Sequence, residues 1–310
     1  MTRVLYVAGW QRSGTTVLGN TLGSVPGVVH VGELNYLWSP DNPGRDQCGC
    51  GAPFRMCVLW SKVLGELDAL SSDRRATAHY LRQAEIRMRH LPKRYAEYVR
   101  DGSVPHYSEW VGGVYRAIAK HASASVIVDT TKFPSDGFAT FLAPGVEVFV
   151  LHLVRDPRAA AYSWTRNKRH GPGGSGALMR AKRPLLNSAR WLQVNSLTER
   201  YLRRALPASR FKRMRYEDLM SDPKPSFEQI ADWLGIEKDV LPFVTDDQVC
   251  IEPSHTVMGN PNRFERGATS LELDSEWVHA MSSGDQWSAT LPALPLMHRY
   301  GYAPLTRGTA

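Results

Sequence analysis

The sequence predicts a three-layer α/β fold, a central and mostly parallel sheet flanked by helices, built as one domain over residues 1–310. Two patterns lead there. Short apolar runs rich in β-branched residues recur along the chain, and segments of helical period separate them. That alternation is what a parallel sheet buried on both faces requires. The runs at 4–8, 28–31, 126–129, 146–154 and 211–215 are read as strands, and 15–22, 156–167, 188–205 and 224–234 as helices.

An insertion at about 37–123 separates the second strand from the third. It begins irregular and cysteine-bearing, turns helical, and is expected to roof a site. A second irregular stretch, 170–184, carries Gly171-Pro172-Gly173-Gly174-Ser175-Gly176 and reads as a loop, either a gate over an acceptor or plain surface. No internal repeat or heptad pattern is visible, which sets aside solenoids and coiled coils.

Composition narrows the function. With 43% hydrophobic and 22% charged residues the chain has the makeup of a globular protein, so disorder is not expected. No apolar run reaches the roughly 18–20 residues that cross a bilayer, and the expectation is a cytoplasmic protein. A formal charge of +8 and a pI of about 9.4 favour anionic ligands. The basic residues are scattered and match no nucleic-acid motif, so no nucleic-acid partner is expected. Oligomeric state cannot be read from one sequence. Three of the four cysteines cluster as Cys48-Gly-Cys50 and Cys57, with Cys250 distant. The spacing C-x-C-x6-C matches none of the strong zinc patterns, so reduced, packed thiols and no metal are expected, with a structural metal or a disulfide as the alternative.

The first strand runs into Gly9-Trp10-Gln11-Arg12-Ser13-Gly14-Thr15-Thr16, after which Val17, Leu18 and Leu22 keep helical spacing. A strand, a glycine loop and a helix start aim successive backbone N–H groups and a positive helix end at one point, an anion site. The frame Gly9-x4-Gly14 is P-loop-like, but Thr15 stands where a nucleoside-triphosphate loop carries lysine. That lysine serves the β- and γ-phosphates, so its absence argues against the runner-up reading, a P-loop-type small-molecule kinase. The cation lies instead at Arg12. Farther on, the strand ending at Val154 leads into Arg155-Asp156-Pro157-Arg158, with Ser163 two helical turns along.

These segments resemble the PAPS-dependent sulfotransferases, bacterial members among them, with resemblance also to the tyrosylprotein and carbohydrate types. PAPS is 3′-phosphoadenosine 5′-phosphosulfate. Residues 11–16 look like the family's phosphosulfate loop, [KR]-x-G-[TS]-[TS]. Arg155 and Ser163 have the spacing of its 3′-phosphate motif, an arginine and a serine eight residues later. Arg215-Tyr216-Glu217-Asp218-Leu219 leaves the fifth strand as in many sulfotransferases, and 259–264 resembles a donor-covering segment of bacterial members. The resemblance implies PAPS as donor, 3′-phosphoadenosine 5′-phosphate (PAP) as product, no metal requirement, and a hydroxyl on a small molecule, glycan or tyrosine as acceptor. It implies donor contacts from Gln11, Arg12, Ser13, Gly14, Thr15, Thr16, Arg155, Ser163, Tyr216, Asn260 and Arg263, with Arg266 a further candidate.

Sulfuryl transfer to an alcohol needs a base at the acceptor and cations around the transferring group. Glu33, after Gly32 at the end of the second strand, resembles the glutamate base of the tyrosylprotein type. His30 lies three residues earlier inside the strand and is expected to be a core histidine. Lys132, after the third strand, resembles the lysine that assists transfer in the same enzymes; with Arg12 it is expected to steady the transferring group. Tyr36, Trp38, Tyr107 and Trp110 are read either as an acceptor pocket or as core.

Overall fold

The computed structural model describes residues 1–39, 47–68, 74–166 and 183–303. The glycine-rich stretch at 171–176 lies outside them. Five strands form a parallel sheet: β1 (Thr2–Ala8), β2 (Val28–Gly32), β3 (Val126–Lys132), β4 (Val146–Val154) and β5 (Phe211–Arg215), in the order β2-β3-β1-β4-β5. Their side chains alternate between two faces, and both are covered. Val4, Tyr6, Ile127, Val148 and Val150 enter one core, while Leu5, Val7, Val126, Val128, Leu151 and Leu153 enter the other. Double burial is why β1, β3 and β4 read as largely apolar runs, while the edge strand β5 is only partly buried.

Helix α1 (Thr15–Gly23) packs on the second face, with α10 (Tyr216–Ser221) and α11 (Pro223–Leu234). The insertion supplies α2 (Trp60–Asp68), α3 (Arg74–Glu85), α4 (Leu91–Asp101) and α5 (His106–Ala122). Its Trp60, Val63, Tyr107, Val111, Tyr115 and Ile118 join the first core beside α6 (Pro134–Phe141). The insertion helices therefore cover a sheet face instead of roofing a site, because their apolar stripes match the otherwise bare side of β1 and β3. Trp38 and Tyr107 meet edge to face at 5.8 Å within that core, which places them as packing residues.

Beyond β4 come α7 (Pro157–Thr165), α8 (Pro184–Leu197), a π-turn at Thr198–Leu202 and α9 (Arg203–Ala205). The chain closes with an antiparallel hairpin of β6 (Gln248–Ile251) and β7 (Gly267–Ser270), then α12 (Trp277–Ala280) and α13 (Ser283–Met297), which packs on α7 and α8. No helix among the described residues is long and apolar enough to cross a membrane.

β1 lies between β3 and β4, so the chain winds one way to β2 and β3 and the other way to β4 and β5. Such a reversal opens a crevice at the carboxyl ends of the strands, where doubly wound folds bind ligands. Two register shifts sit at that edge. One falls on the β1/β3 pairing between Tyr6 and Ala8, the other on the β2/β3 pairing between His30 and Gly32. Each breaks the strict alternation just before Lys132 and Glu33, and a bulge of this kind re-aims the side chains beside it.

Candidate functional site

A cavity of about 1000 Å³ opens at this crevice. It is lined by Gln11, Arg12, Gly14, Thr15 and Thr16 from the first loop, Glu33 and Lys132 from the strand ends, Arg155, Ser163 and Tyr216 from the other side, and Asn260. Eleven of the thirteen site residues expected from sequence thus converge, from positions as far apart in the chain as 11 and 260. Ser13 is fully buried and Arg263 points elsewhere; neither lines the cavity.

Gly9 and Gly14 both adopt positive φ, 140° and 82°. A Cβ on Gly14 would lie 2.5 Å from the Tyr216 ring, so loop and aromatic are in direct apposition and only glycine fits. Gly14 is the N-cap of α1 and has no side chain to cap it, and the first helical residues Thr15 and Thr16 line the cavity. Between the glycines Arg12 also takes a left-handed backbone, φ 68°. Its guanidinium stacks over Trp164 at 4.6 Å. Burial brings the Arg12 pKa down to about 10, with Glu33 opposing and Arg155 and Arg166 adding to the fall. Three guanidinium groups crowded in this way favour an anion among them.

Arg155 stands where sequence placed it, at the carboxyl end of β4. It donates to the Arg12 carbonyl at 3.0 Å and lies 4.2 Å above the Tyr216 ring. It also meets Asp274, through the carbonyl at 3.0 Å and the carboxylate at 3.1 Å. Asp274 pairs with Arg166 as well, at 2.7 Å. Burial raises the Asp274 pKa, but hydrogen bonds and charge from Arg166 and Arg155 outweigh it and leave it lowered. This carboxylate, together with Glu276 at 2.9 Å from Arg166, brings negative charge to the arginine cluster. Trp164, Arg166 and Asp274 were not singled out from sequence; only the positions of Trp164 and Arg166 just after Ser163 hinted at them. Asp156 caps α7 by accepting from the Arg158 N–H at 2.8 Å, so helix start and arginine motif are served by different residues.

On the other side, Lys132 Nζ donates to Glu33 Oε1 at 2.6 Å and to the Thr130 carbonyl at 2.9 Å. Both side chains are almost buried, with 5% and 12% exposure, yet both line the cavity. Lys132 has φ 79°, a left-handed conformation costly for a side chain with a Cβ and typical of residues held for function. Tyr36 lines the cavity beside them, its pKa raised to about 12, first by burial and then by Glu33.

His30 is a core residue. Its ring nitrogens contact Asn20 Oδ1 at 3.1 Å and Thr130 Oγ1 at 3.3 Å, and burial, with Lys132 adding, lowers its pKa to about 3. Asp129 accepts from the Thr131 N–H at 2.7 Å and from Tyr115 Oη at 2.6 Å, fixing the turn that presents Lys132.

The segment from Met258 to Asp274 forms the far wall of the cavity. It is tied to α1 by Asn20 Nδ2 donating to the Asn262 carbonyl at 2.9 Å, and to Glu33, whose N–H donates to the Met258 carbonyl at 3.0 Å. Arg263, expected at the donor's phosphates, spends its guanidinium on the carbonyls of Thr256, Val257 and Gln47 at 3.0, 2.9 and 3.1 Å. Arg266 donates to the Cys50 carbonyl at 2.6 Å, also outside the cavity. Backbone carbonyls of residues 256–257 and of the insertion at Gln47 and Cys50 hold the two arginines away from the cavity.

Fold and cavity define an α/β protein with a lysine-free, P-loop-like glycine loop at the switch point of its sheet. The chain belongs to the sulfotransferase family, whose profile matches residues 5–239. Among solved structures it is similar to the sulfotransferase domain of the Synechococcus PCC 7002 olefin synthase, with 19% identity, a TM-score of 0.55, and coverage of 97% of this chain and 95% of that one. It is also similar to the sulfotransferase domain from the curacin biosynthetic pathway, with 15% identity, a TM-score of 0.52, and coverage of 98% and 99%. At such identities the likeness is one of fold. Comparison with curated proteins gives no match.

Proposed function

We propose that the protein transfers the sulfuryl group of PAPS to an acceptor hydroxyl, with Glu33 as general base. The observation that carries this reading is the buried Lys132–Glu33 contact of 2.6 Å, in one cavity with a lysine-free anion loop and Arg155. The cavity suits a nucleotide of this kind. Its volume is at the upper end of small-ligand sites. Arg155 Nε and Asn260 Oδ1 are buried with no hydrogen-bond partner among the described residues. Each polar atom so stranded costs free energy that a ligand can return.

The donor supplies an activated sulfuryl group on a phosphate leaving group. The first-turn amides of α1, with Thr15 and Thr16, hold the 5′ end; Arg155 and Ser163 hold the 3′-phosphate, where a planar guanidinium donates paired hydrogen bonds and keeps its charge. Tyr216, against Gly14 and under Arg155, positions both groups. Glu33 takes the proton of the acceptor hydroxyl as its oxygen bonds to sulfur and the bond from sulfur to the bridging oxygen breaks. Lys132 and Arg12 meet the charge that grows on the sulfuryl and bridging oxygens, a contribution commonly worth two to three orders of magnitude per donor, or about 2.7–4 kcal/mol. Lys132 starts on Glu33, which orients the carboxylate before the acceptor arrives. Tyr36 and Met258 flank Glu33 on the acceptor side and suit an acceptor with an apolar or ring-shaped body, such as a phenol, a sugar or a small metabolite.

The test is transfer of label from radiolabelled PAPS across a panel of hydroxylated acceptors, beside a parallel incubation with labelled ATP and magnesium. Label should pass from PAPS alone. Transfer from ATP alone would replace this reading with the kinase.

A further inference from the structure

The cysteine-bearing start of the insertion does not remain local. Cys48, Cys50 and Cys57 meet His255, about 200 residues downstream, and their four ligand atoms all lie within 4.8 Å of one another. Cys57 Sγ is 3.6 Å from Cys48 Sγ, 3.8 Å from Cys50 Sγ and 3.2 Å from His255 Nδ1; Cys48 Sγ is 3.7 Å from the same nitrogen. A tetrahedral zinc with Zn–S of about 2.3 Å and Zn–N of about 2.05 Å sets ligand separations of about 3.8 Å between sulfurs and about 3.6 Å between sulfur and nitrogen. These four separations lie within about 0.4 Å of those edges. A disulfide would need two sulfurs at about 2.05 Å.

We propose that Cys48, Cys50, Cys57 and His255 Nδ1 bind one structural zinc ion. Four protein ligands complete a tetrahedron and leave no open position, so the ion takes no part in transfer chemistry. This departs from the expectation of packed, metal-free thiols, and it stands whatever donor the cavity accepts.

The surroundings are those of a metal–thiolate centre. Cys48 and Cys57 are fully buried, whereas Cys250 is exposed and apart. The knuckle is closed by the Cys48 N–H donating to the Ala52 carbonyl at 2.8 Å and the Gly51 N–H to the Cys48 carbonyl at 2.8 Å. Backbone N–H groups of Leu59 and Trp60 face the Cys57 sulfur. Three thiolates on a divalent ion carry one net negative charge, and two cations adjoin it. Arg266 holds the Cys50 carbonyl, and Arg263 senses Cys48 from its buried position. Their withdrawal from the cavity thus has a second cause in this centre.

The ion would fasten the insertion to the segment that walls the cavity. Trp60 Nε1 donates to the His255 carbonyl at 2.7 Å and the Gly49 N–H to the Thr256 carbonyl at 3.0 Å. From there the Val257 N–H donates to the Val31 carbonyl at 2.8 Å, next to Gly32 and Glu33. A closed loop of contacts therefore runs from the metal ligands to the strand end that bears the base.

The test is metal analysis of the whole protein, purified under reducing conditions without chelator from zinc-supplied cells. About one zinc per chain is expected, released as a mercurial titrates the thiols, and exchange with Co²⁺ should give the sulfur-to-metal charge-transfer bands of tetrahedral thiolate coordination. Cys50→Ser and His255→Gln should lose the ion and lower Tm, while Cys250→Ser keeps it. Should the ligand variants fail to fold, the mercurial titration of the parent still decides. Native protein with no bound metal and reactive thiols, a disulfide among the three cysteines, or stoichiometric iron would each overturn the assignment.

Discussion

Replacing Gly14 by alanine adds one methyl group at the point where the loop meets Tyr216. At φ 82° a side chain with a Cβ costs about 1–2 kcal/mol. The new carbon would also lie 2.5 and 2.8 Å from two ring atoms of Tyr216. Restoring an ordinary carbon contact of about 3.5 Å requires the ring to retreat by about 1 Å. Tyr216 is 6% exposed and carries the Arg155 guanidinium at 4.2 Å on its face, so the ring cannot retreat without moving that arginine. A charged hydrogen bond lost at Arg155 is worth about 1.5–3 kcal/mol, which is roughly ten- to hundredfold in Kd. Titration calorimetry with PAP should show that loss, while Tm falls by about 1.5 °C per kcal/mol of the backbone cost, as unfolding entropy scales over 310 residues. Gly65→Ala is the control, since nothing lies within 4 Å of its added carbon, and it should leave PAP affinity alone. Parental PAP affinity in a folded Gly14→Ala protein would refute the coupling of loop, ring and arginine.

Other outcomes follow from the same geometry. Glu33→Gln should cut kcat by about 10²- to 10⁴-fold with PAP affinity unchanged, checked by single-turnover assay beside calorimetry; retained kcat would remove Glu33 as base. Lys132→Met should lower kcat by about 10²- to 10³-fold with a smaller effect on donor binding, and a change confined to donor Kd would place Lys132 on the nucleotide instead. His30, with its pKa lowered to about 3 by burial, stays neutral when folded but gains a proton near pH 6.5 when unfolded. Its contribution to stability is therefore whole above pH 6.5 and lost progressively toward pH 3. Asp129, raised to about 6 by burial, acts in the opposite sense, stabilising at low pH and losing that contribution as pH rises through 6. Chemical denaturation of the parent and of His30→Gln across pH 4–7 isolates the histidine: the parent should lose more stability on acidification by a slope of about one proton, and equal slopes would contradict a neutral His30.

The sheet was legible because β1 to β4 are largely buried apolar runs, whereas β5, Phe-Lys-Arg-Met-Arg at the edge, is only partly buried; all five fall within a few residues of their expected bounds. The glycine loop after β1 was legible as well, since glycines at 9 and 14 mark a turn that a local pattern can reveal. What escaped was set by tertiary context. β6 and β7 have four residues each, Gln-Val-Cys-Ile and Gly-Ala-Thr-Ser, too short and mixed to announce a hairpin. Helix α13 carries Pro292 and Pro295 inside it, against the usual reading of proline as a stop, and packing on α8 overrides the local preference. Sequence placed Glu33 and Lys132 at strand ends but could not show the two register shifts that turn them toward each other. Arg263 looked like a phosphate ligand because an arginine's partners are invisible in sequence, and here they are backbone carbonyls. Three clustered cysteines were in plain view, yet the histidine that completes their constellation stands too far along the chain for any spacing rule.

The most direct measurement compares PAP with adenosine 5′-monophosphate, which lacks only the 3′-phosphate, by calorimetry on the parent and on Arg155→Ala. PAP should bind the parent more tightly by at least about tenfold, and that advantage should shrink to near unity once Arg155 is gone. Equal binding of the two nucleotides by the parent, or binding of neither, would contradict a cavity built for a 3′-phosphorylated sulfuryl donor.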